Sequence, residues 1–122
     1  ISQWDKVNAF LMYDMDVQAI NEKLKKCKAG MLLSNPCFEI WLLLHAKDQK
    51  ISIETDALIK ELKKSAPVWK NYSKSPFTET QKTFLNNNTD IAVARAQKLC
   101  EFQNPSTGIY KLIEMLQSDT RL

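Results

Sequence analysis

The sequence predicts an α/β fold with alternating strands and helices in its first third and helices in the remainder. Two short apolar runs, Val7–Tyr13 and Met31–Leu33, are typical of buried strands. Between them, three apolar residues recur at helical spacing: Val17, Ile20 and Leu24. A strand–helix–strand connection of this length makes the two strands parallel. We therefore expect a βαβα unit over residues 1–47 and an all-helical extension, packed on it, over residues 48–122.

Turn and cap residues support the boundaries of this βαβα unit. Asp16 can cap the first helix, and Gly30 stands where that helix would end. Asn35 is expected to cap the next helix, with Pro36 at its first position. The following run, Phe38 to Leu44, is apolar almost all round, which predicts the most buried helix of the chain.

The remainder shows helical spacing interrupted by polar breaks. We expect a helix from Thr55 to about Lys64, a loop over Pro67–Pro76 and a short helix over Phe77–Leu85. After a loop at 86–88, Thr89 is expected to cap another helix. The segment 104–107 breaks the chain before a last helix whose apolar residues are Ile109, Leu112, Ile113 and Leu116.

Size and composition fit one globular domain of a reducing compartment. The chain has 122 residues and a formal charge of +3, which permits an acidic partner without requiring one. Its three cysteines, Cys27, Cys37 and Cys100, have neither metal-ligand spacing nor an even count. No apolar run is long enough to cross a bilayer. We therefore expect a cytoplasmic protein without a membrane partner.

Asp14 and Asp16 are the first candidate site residues. Residues two apart in an extended chain point to the same side, here beyond the carboxyl end of a parallel strand. Carboxylate oxygens at such an edge suit Mg²⁺ or Mn²⁺. The alternative is that Asp14 is a turn residue at the strand end and Asp16 only a helix cap.

Glu39 is the second candidate, because it lies in the first turn of an otherwise apolar helix. It could ligate metal, act as a general base or orient a basic partner. It could also serve only to stabilise the helix dipole. His45 at the other end of that helix could be catalytic, but complementing the dipole is the preferred interpretation. Cys37 is interpreted as a small core residue.

Basic and aromatic residues alternate after Ser65. Three lysines, Lys70, Lys74 and Lys82, are interleaved with Trp69, Tyr72 and Phe77. Such a pattern could contact a nucleic-acid backbone and stack on bases. The simpler interpretation, which we prefer, is a solvated loop with hydrophobic anchors.

Three segments together resemble one protein family. They are Tyr13–Asp16 (Tyr-Asp-Met-Asp), Ser34–His45 (Ser-Asn-Pro-Cys-Phe-Glu-Ile-Trp-Leu-Leu-Leu-His) and Asn104–Thr107 (Asn-Pro-Ser-Thr) before an apolar helix. In this order they are similar to RloB-like proteins, which are Toprim-type proteins of bacterial restriction and abortive-infection loci. The middle motif is the long and specific one.

The resemblance implies a Toprim-like parallel sheet and a metal-dependent nuclease that cuts DNA or RNA in defence against phage or foreign DNA. Asp14 and Asp16 match the Asp-x-Asp that binds Mg²⁺ in such folds, and Glu39 matches the glutamate of the middle motif. The resemblance also implies a partner ATPase from the same locus.

The early glutamate of Toprim enzymes has no counterpart before Val7. We therefore expect this chain to be the C-terminal part of such a protein and to be inactive by itself. A non-catalytic binding or assembly module is the main alternative. A nucleotide-sensing regulator ranks last, because no glycine-rich phosphate loop is present.

Overall fold

The described residues form a three-stranded sheet, and the candidate residue Asp14 is the last residue of one of its strands. The computed structural model describes residues 10–15 and 30–120, and within them β1 spans Phe10–Asp14, β2 Gly30–Asn35 and β3 Ser106–Thr107. The strand order is β1-β2-β3. β1 runs parallel to β2, with Asp14 opposite Ser34, whereas β3 runs antiparallel to β2. The fold is therefore mixed α/β, and the predicted parallel strand pair is present.

The expectation that residues 48–122 are all-helical is wrong, because β3 lies in that region. In β3, the Thr107 hydroxyl (Oγ1) shares a hydrogen bond of 2.8 Å with Ser34 Oγ. The N–H of the next residue, Gly108, donates to the Leu33 carbonyl at 2.9 Å. Two residues are too few to show strand periodicity in a sequence. Backbone groups at the edge of β2 supply the pairing that defines this strand.

The first described helix, α1, spans Glu39–Ala46. It does not begin at Pro36, and Asn35 is not its cap, so both predictions are wrong. Asn35 is still the last residue of β2, where its side-chain amide donates to the Phe102 carbonyl at 2.9 Å. The chain leaves the sheet through a turn at Phe38 before the helix starts.

α1 forms the centre of the hydrophobic core. Seven of its eight side chains are buried, against two in α2 (Thr55–Ser65) and three in α3 (Glu79–Gln97). Both of these helices pack on α1, and a 3₁₀ helix at Pro67–Trp69 joins them. α1 is thus the most buried of the described helices, as predicted.

α3 is one continuous helix where the sequence suggested two. Thr78 caps it, since its hydroxyl accepts from the Gln81 N–H while the Gln81 side chain accepts from the Thr78 N–H. The predicted break at 86–88 and cap at Thr89 are wrong. Asn88 and Thr89 instead bond back to the Phe84 and Leu85 carbonyls of the preceding turn, at 2.8 and 2.6 Å. Back-bonding of this kind satisfies polar side chains without ending a helix.

The last helix, α4, spans Tyr110–Thr120 and follows β3 after a short turn. No helix in the described ranges is long and apolar enough to cross a membrane. The predicted helix containing Val17 to Leu24, and the cap role of Asp16, lie outside the described residues.

Candidate functional site

The Asp14 side chain, at the end of β1, is hydrogen-bonded to the start of α1. This side chain is exposed, and Oδ1 accepts a hydrogen bond of 2.8 Å from the Phe38 N–H. This N–H belongs to the helix start, where backbone donors have no partner within the helix. Parallel pairing of β1 with β2 brings the two segments together, because Asp14 lies opposite Ser34. Asp14 therefore works in part as a cap supplied from another strand.

Glu39 lies beside this position but inside the protein. Its relative exposure is 1%, and Oε2 accepts a hydrogen bond of 2.5 Å from the Tyr72 hydroxyl. The Lys74 ammonium is 3.6 Å from the same oxygen. Oε1 is buried and has no hydrogen-bond partner among the described residues. One oxygen of Glu39 is thus held in place, while the other is an acceptor that lacks a donor.

The surroundings of Glu39 keep it ionised. Burial alone would raise the pKa of this carboxyl, but the Tyr72 hydrogen bond, the nearby Cys37 thiol and the Lys74 charge together lower it below its ordinary value. The Glu39 carboxylate has the opposite effect on the pKa values of its neighbours Cys37 and Tyr72. Burial and the Glu39 carboxylate raise the pKa of Cys37 to about 12 and that of Tyr72 above its usual range. Cys37 is therefore a neutral core thiol, as interpreted, and no nucleophile.

Asp14 and Glu39 both influence Tyr72 and the start of α1. Asp14 Oδ1 contacts the residue that precedes Glu39, and the Asp14 charge contributes to the raised pKa of Tyr72. Asp16 lies outside the described residues. Within the described ranges, no three His, Cys, Asp or Glu side chains gather closely enough to hold a metal ion. The three-carboxylate site of Asp14, Asp16 and Glu39 thus stays a prediction.

An open cleft of about 450 Å³ lies next to this position. Met15 and Pro36, which directly follow β1 and β2, line it together with Asp56 and Asn104. Open α/β sheets place their ligands beyond the carboxyl ends of parallel strands, which is where this cleft lies. Met15, which follows Asp14 in the chain, lines the cleft, whereas Asp14 and Glu39 themselves do not.

His45 does not complement the α1 dipole as a cation. It is buried, its Nδ1 donates to the Trp41 carbonyl at 2.8 Å, and burial lowers its pKa despite that bond. The positive charge at this helix end comes from Arg95, whose Nη1 donates to the Leu44 carbonyl at 2.8 Å. The predicted dipole role is therefore wrong for His45 and belongs to a residue of α3.

The loop after α2 follows the interpretation that we preferred. Trp69 and Tyr72 are buried, and the Trp69 ring contacts the rings of Tyr72, Phe77 and Phe84 edge-on, with centroids 5.8 to 6.0 Å apart. Lys70 and Lys74 are exposed. These aromatics anchor the loop, so Trp69 and Tyr72 are not available to stack on bases.

Sequence patterns did not identify Tyr72 as part of the site. It lies 33 residues from Glu39 in a segment without periodicity. The sequence indicated only that a buried glutamate requires a hydrogen-bond donor from another part of the chain. It did not indicate which residue would be the donor.

Comparison with known protein families shows a match to one model, described as RloB-like protein, over residues 3–116. Comparison with curated proteins and with solved structures found no match.

Proposed function

The chain belongs to the RloB-like family, and from this premise we propose that it forms part of a Toprim-type, metal-dependent nuclease. Its substrate would be the phosphodiester bonds of phage or foreign nucleic acid. The observation that carries this proposal is the position of Asp14, exposed at the carboxyl end of a parallel strand and bonded to the turn that presents Glu39. A Toprim sheet would extend the observed pair β1–β2 by further parallel strands.

The donors present fit a hard divalent cation. Asp14 offers an exposed carboxylate, and Glu39 Oε1 is a buried carboxylate oxygen with no donor among the described residues. Oxygen donors of this kind suit Mg²⁺ or Mn²⁺. Asp14, Asp16 and Glu39 would hold the ion. When bound, it would polarise the phosphate and lower the pKa of a coordinated water.

Glu39 and Tyr72 have distinct tasks in this proposal. Because the Tyr72 hydroxyl occupies Oε2, Oε1 is the oxygen with which Glu39 would contact a metal ion or orient a water molecule. The lowered pKa keeps Glu39 ionised at neutral pH, as a metal ligand or a water-orienting group must be. Tyr72 is a positioning residue, since it acts on the carboxylate and not on the substrate. The proposed partners are nucleic acid and an ATPase from the same locus.

One observation favours a second candidate, a non-catalytic binding or assembly module. Glu39 is 1% exposed and hydrogen-bonded to Tyr72, an environment that also suits a purely structural carboxylate. In that case Asp14 would serve only to cap α1, and neither residue would bind metal.

Isothermal titration with Mn²⁺ separates the two candidates. The variant Asp14→Asn/Asp16→Asn keeps an acceptor for the Phe38 N–H but removes both charges. The matched control is Asp48→Asn/Asp90→Asn, which removes two charges elsewhere. We expect weak binding by the unmodified chain and the control, and loss of the heat in the first variant. Equal heats for all three proteins would contradict a metal site at Asp14 and Asp16 and would favour the non-catalytic binding or assembly module.

Cleavage is tested with plasmid DNA and with tRNA in Mn²⁺ buffer, together with the partner ATPase. We expect little or no cutting by this chain alone. In a longer parent protein that contains it, we expect cutting that the Asp14→Asn/Asp16→Asn variant loses and the control retains. Cutting that both variants retain would contradict the assignment of these carboxylates. Metal binding by the parent protein without cutting of either substrate would contradict the nuclease proposal itself.

A further inference from the structure

Charge is distributed unevenly along the chain. The segment 57–78 holds five lysines and a single acidic residue, Glu61, although the whole chain carries a formal charge of only +3. The five are Lys60, Lys63, Lys64, Lys70 and Lys74. The segment therefore carries a net charge of +4, which is more than the whole chain carries.

The five side chains are available to a partner. All five are exposed. Glu61 is paired with Lys47 at 2.7 Å, so its charge is already offset from outside the segment. The described part of the chain shows no ion pair for Lys60, Lys63 or Lys70. Lysines without an ion-pair partner repel one another, and an anionic partner would reduce this repulsion.

The backbone under these lysines is firmly anchored. Leu58 and Leu62 on the opposite side of α2 are fully buried, as is Trp69 in the 3₁₀ helix. Lys60, Lys63 and Lys64 share the outer face of α2, because residues three and four apart are neighbours on a helix. The Gln81 side chain also donates to the Val68 carbonyl at 3.0 Å. The lysines thus project from a fixed surface.

The same segment ends at the candidate site. The 3₁₀ helix packs against α2, and the Tyr72 N–H donates to the Trp69 carbonyl at 3.0 Å as the chain turns towards Glu39. Tyr72 then bonds to Glu39, and Lys74 lies 3.6 Å from the same carboxylate. The basic surface therefore runs from α2 towards the Glu39 carboxylate.

We propose that Lys60, Lys63, Lys64, Lys70 and Lys74 form a surface that binds the phosphate backbone of a nucleic-acid duplex and leads it to Asp14 and Glu39. For its link to catalysis this inference rests on the proposed function. Lysines are suited to phosphates as point charges, and the released counterions supply the affinity.

Two features select a duplex over other anionic partners. Single-strand binding relies on exposed aromatic platforms, but Trp69 and Tyr72 are buried. Membrane-surface binding relies on exposed apolar side chains next to the basic ones. Among the described residues, the large apolar side chains that are exposed lie outside this segment: Met12, Ile51, Ile91 and Leu116. Contacts to phosphates alone would be independent of base sequence.

The test is fluorescence anisotropy with the full chain in EDTA, so that binding is measured without metal or cleavage. The probes are a labelled DNA duplex and an RNA duplex of unrelated sequences, with a single strand of poly(dT) for comparison. The variant Lys63→Gln/Lys70→Gln is matched by Lys50→Gln/Lys98→Gln, which removes two exposed lysine charges elsewhere. Circular dichroism confirms that both variants are folded.

We expect the duplex affinity of Lys63→Gln/Lys70→Gln to fall roughly ten- to hundredfold at 0.1 M salt, since each lost phosphate contact weakens binding by counterion release. The slope of log affinity against log salt should become shallower by about 2, one unit for each lysine. The control should change by less than about twofold, because distant surface charges are screened at this salt concentration.

Equal losses in both variants would overturn the proposal, since they would show only net-charge attraction. A lack of duplex binding by the unmodified chain would overturn it too, as would tighter binding to poly(dT) than to duplex. Binding to phosphatidylserine vesicles that the same variant loses, without duplex binding, would assign the surface to a membrane instead. Duplex binding that depends on these lysines, without any metal-dependent cutting, would support this surface and contradict only the nuclease.

Discussion

Tyr72 supports the buried carboxylate on which the site depends. Its hydroxyl is 2.5 Å from Glu39 Oε2, at a position that is almost inaccessible to water. We predict that Tyr72→Phe lowers the free energy of unfolding by about 1.5–3 kcal/mol at pH 7, the usual range for a hydrogen bond to a charged group. Urea unfolding measures this loss. Tyr110→Phe is the control, because the Tyr110 hydroxyl makes no hydrogen bond within the described residues.

The same variant gives a pH dependence with a definite sign. The pKa of Glu39 is lowered in the folded state, so its contribution to stability is present above the unfolded value of 4.5 and is lost as pH falls through the folded pKa. The difference between the unmodified chain and Tyr72→Phe should therefore shrink below pH 4.5. A difference that is constant from pH 7 to pH 3 would show that Tyr72 stabilises by packing and not through the carboxylate.

His45 provides a second prediction at the residue scale. Burial lowers its pKa below 6.5, and it is the only histidine of the chain. Its ring protons should therefore titrate in NMR spectra with a midpoint below 6.5. Since the unfolded chain takes up the proton first, acidification below pH 6.5 should destabilise the fold. A midpoint at or above 6.5 would contradict the lowered pKa, and only a midpoint above about 7 would make His45 mainly cationic at neutral pH.

At the scale of elements, α1 holds the core together. Trp41 is 6% exposed and meets the His45 ring edge-on, with centroids 4.8 Å apart. Trp41→Ala should cost about 3–5 kcal/mol of unfolding free energy, through lost burial and the cavity left behind. Ile91→Ala on the outside of α3, where the residue is 44% exposed, should cost less than about 1 kcal/mol. A thermal or urea melt in which both variants lose equally little would mean that α1 is not the core helix.

At the scale of the whole molecule, β3 ties the region after residue 47 to the sheet. Ser34 Oγ and Thr107 Oγ1 share a buried hydrogen bond across 73 residues of sequence. We predict a coupling energy of about 0.5–3 kcal/mol between Ser34→Ala and Thr107→Val in a double-mutant cycle, because each single change leaves a buried hydroxyl without its partner. Urea unfolding of the four proteins measures it.

The exposed pair Ser73 and Ser75 offers a matched control for this cycle. Their hydroxyls are 2.7 Å apart, but water can replace either partner. The coupling energy of Ser73→Ala with Ser75→Ala should be close to zero. If the Ser34–Thr107 cycle gave the same result, this side-chain hydrogen bond would contribute nothing to the attachment of β3, and only the backbone pairing of β2 with β3 would hold the two regions together.

Sequence by itself determined the elements with a strong local pattern. The apolar run from Phe38 to Leu44 indicated a buried helix, and the two short apolar strands before it indicated a parallel pair ending at Asp14. Such patterns can be read because burial repeats with the period of the element itself. Glu39 was found for the same reason, as a charge inside an apolar run.

Only the tertiary structure decided which residues become partners. It assigned Tyr72 to Glu39, Arg95 to the end of α1 in place of His45, and Thr107 to the edge of β2. Each pair joins residues far apart in the chain, and a single hydrogen bond leaves no periodic trace in a sequence. The need for a partner follows from the cost of burying a polar group, but its identity follows only from the way in which the helices pack.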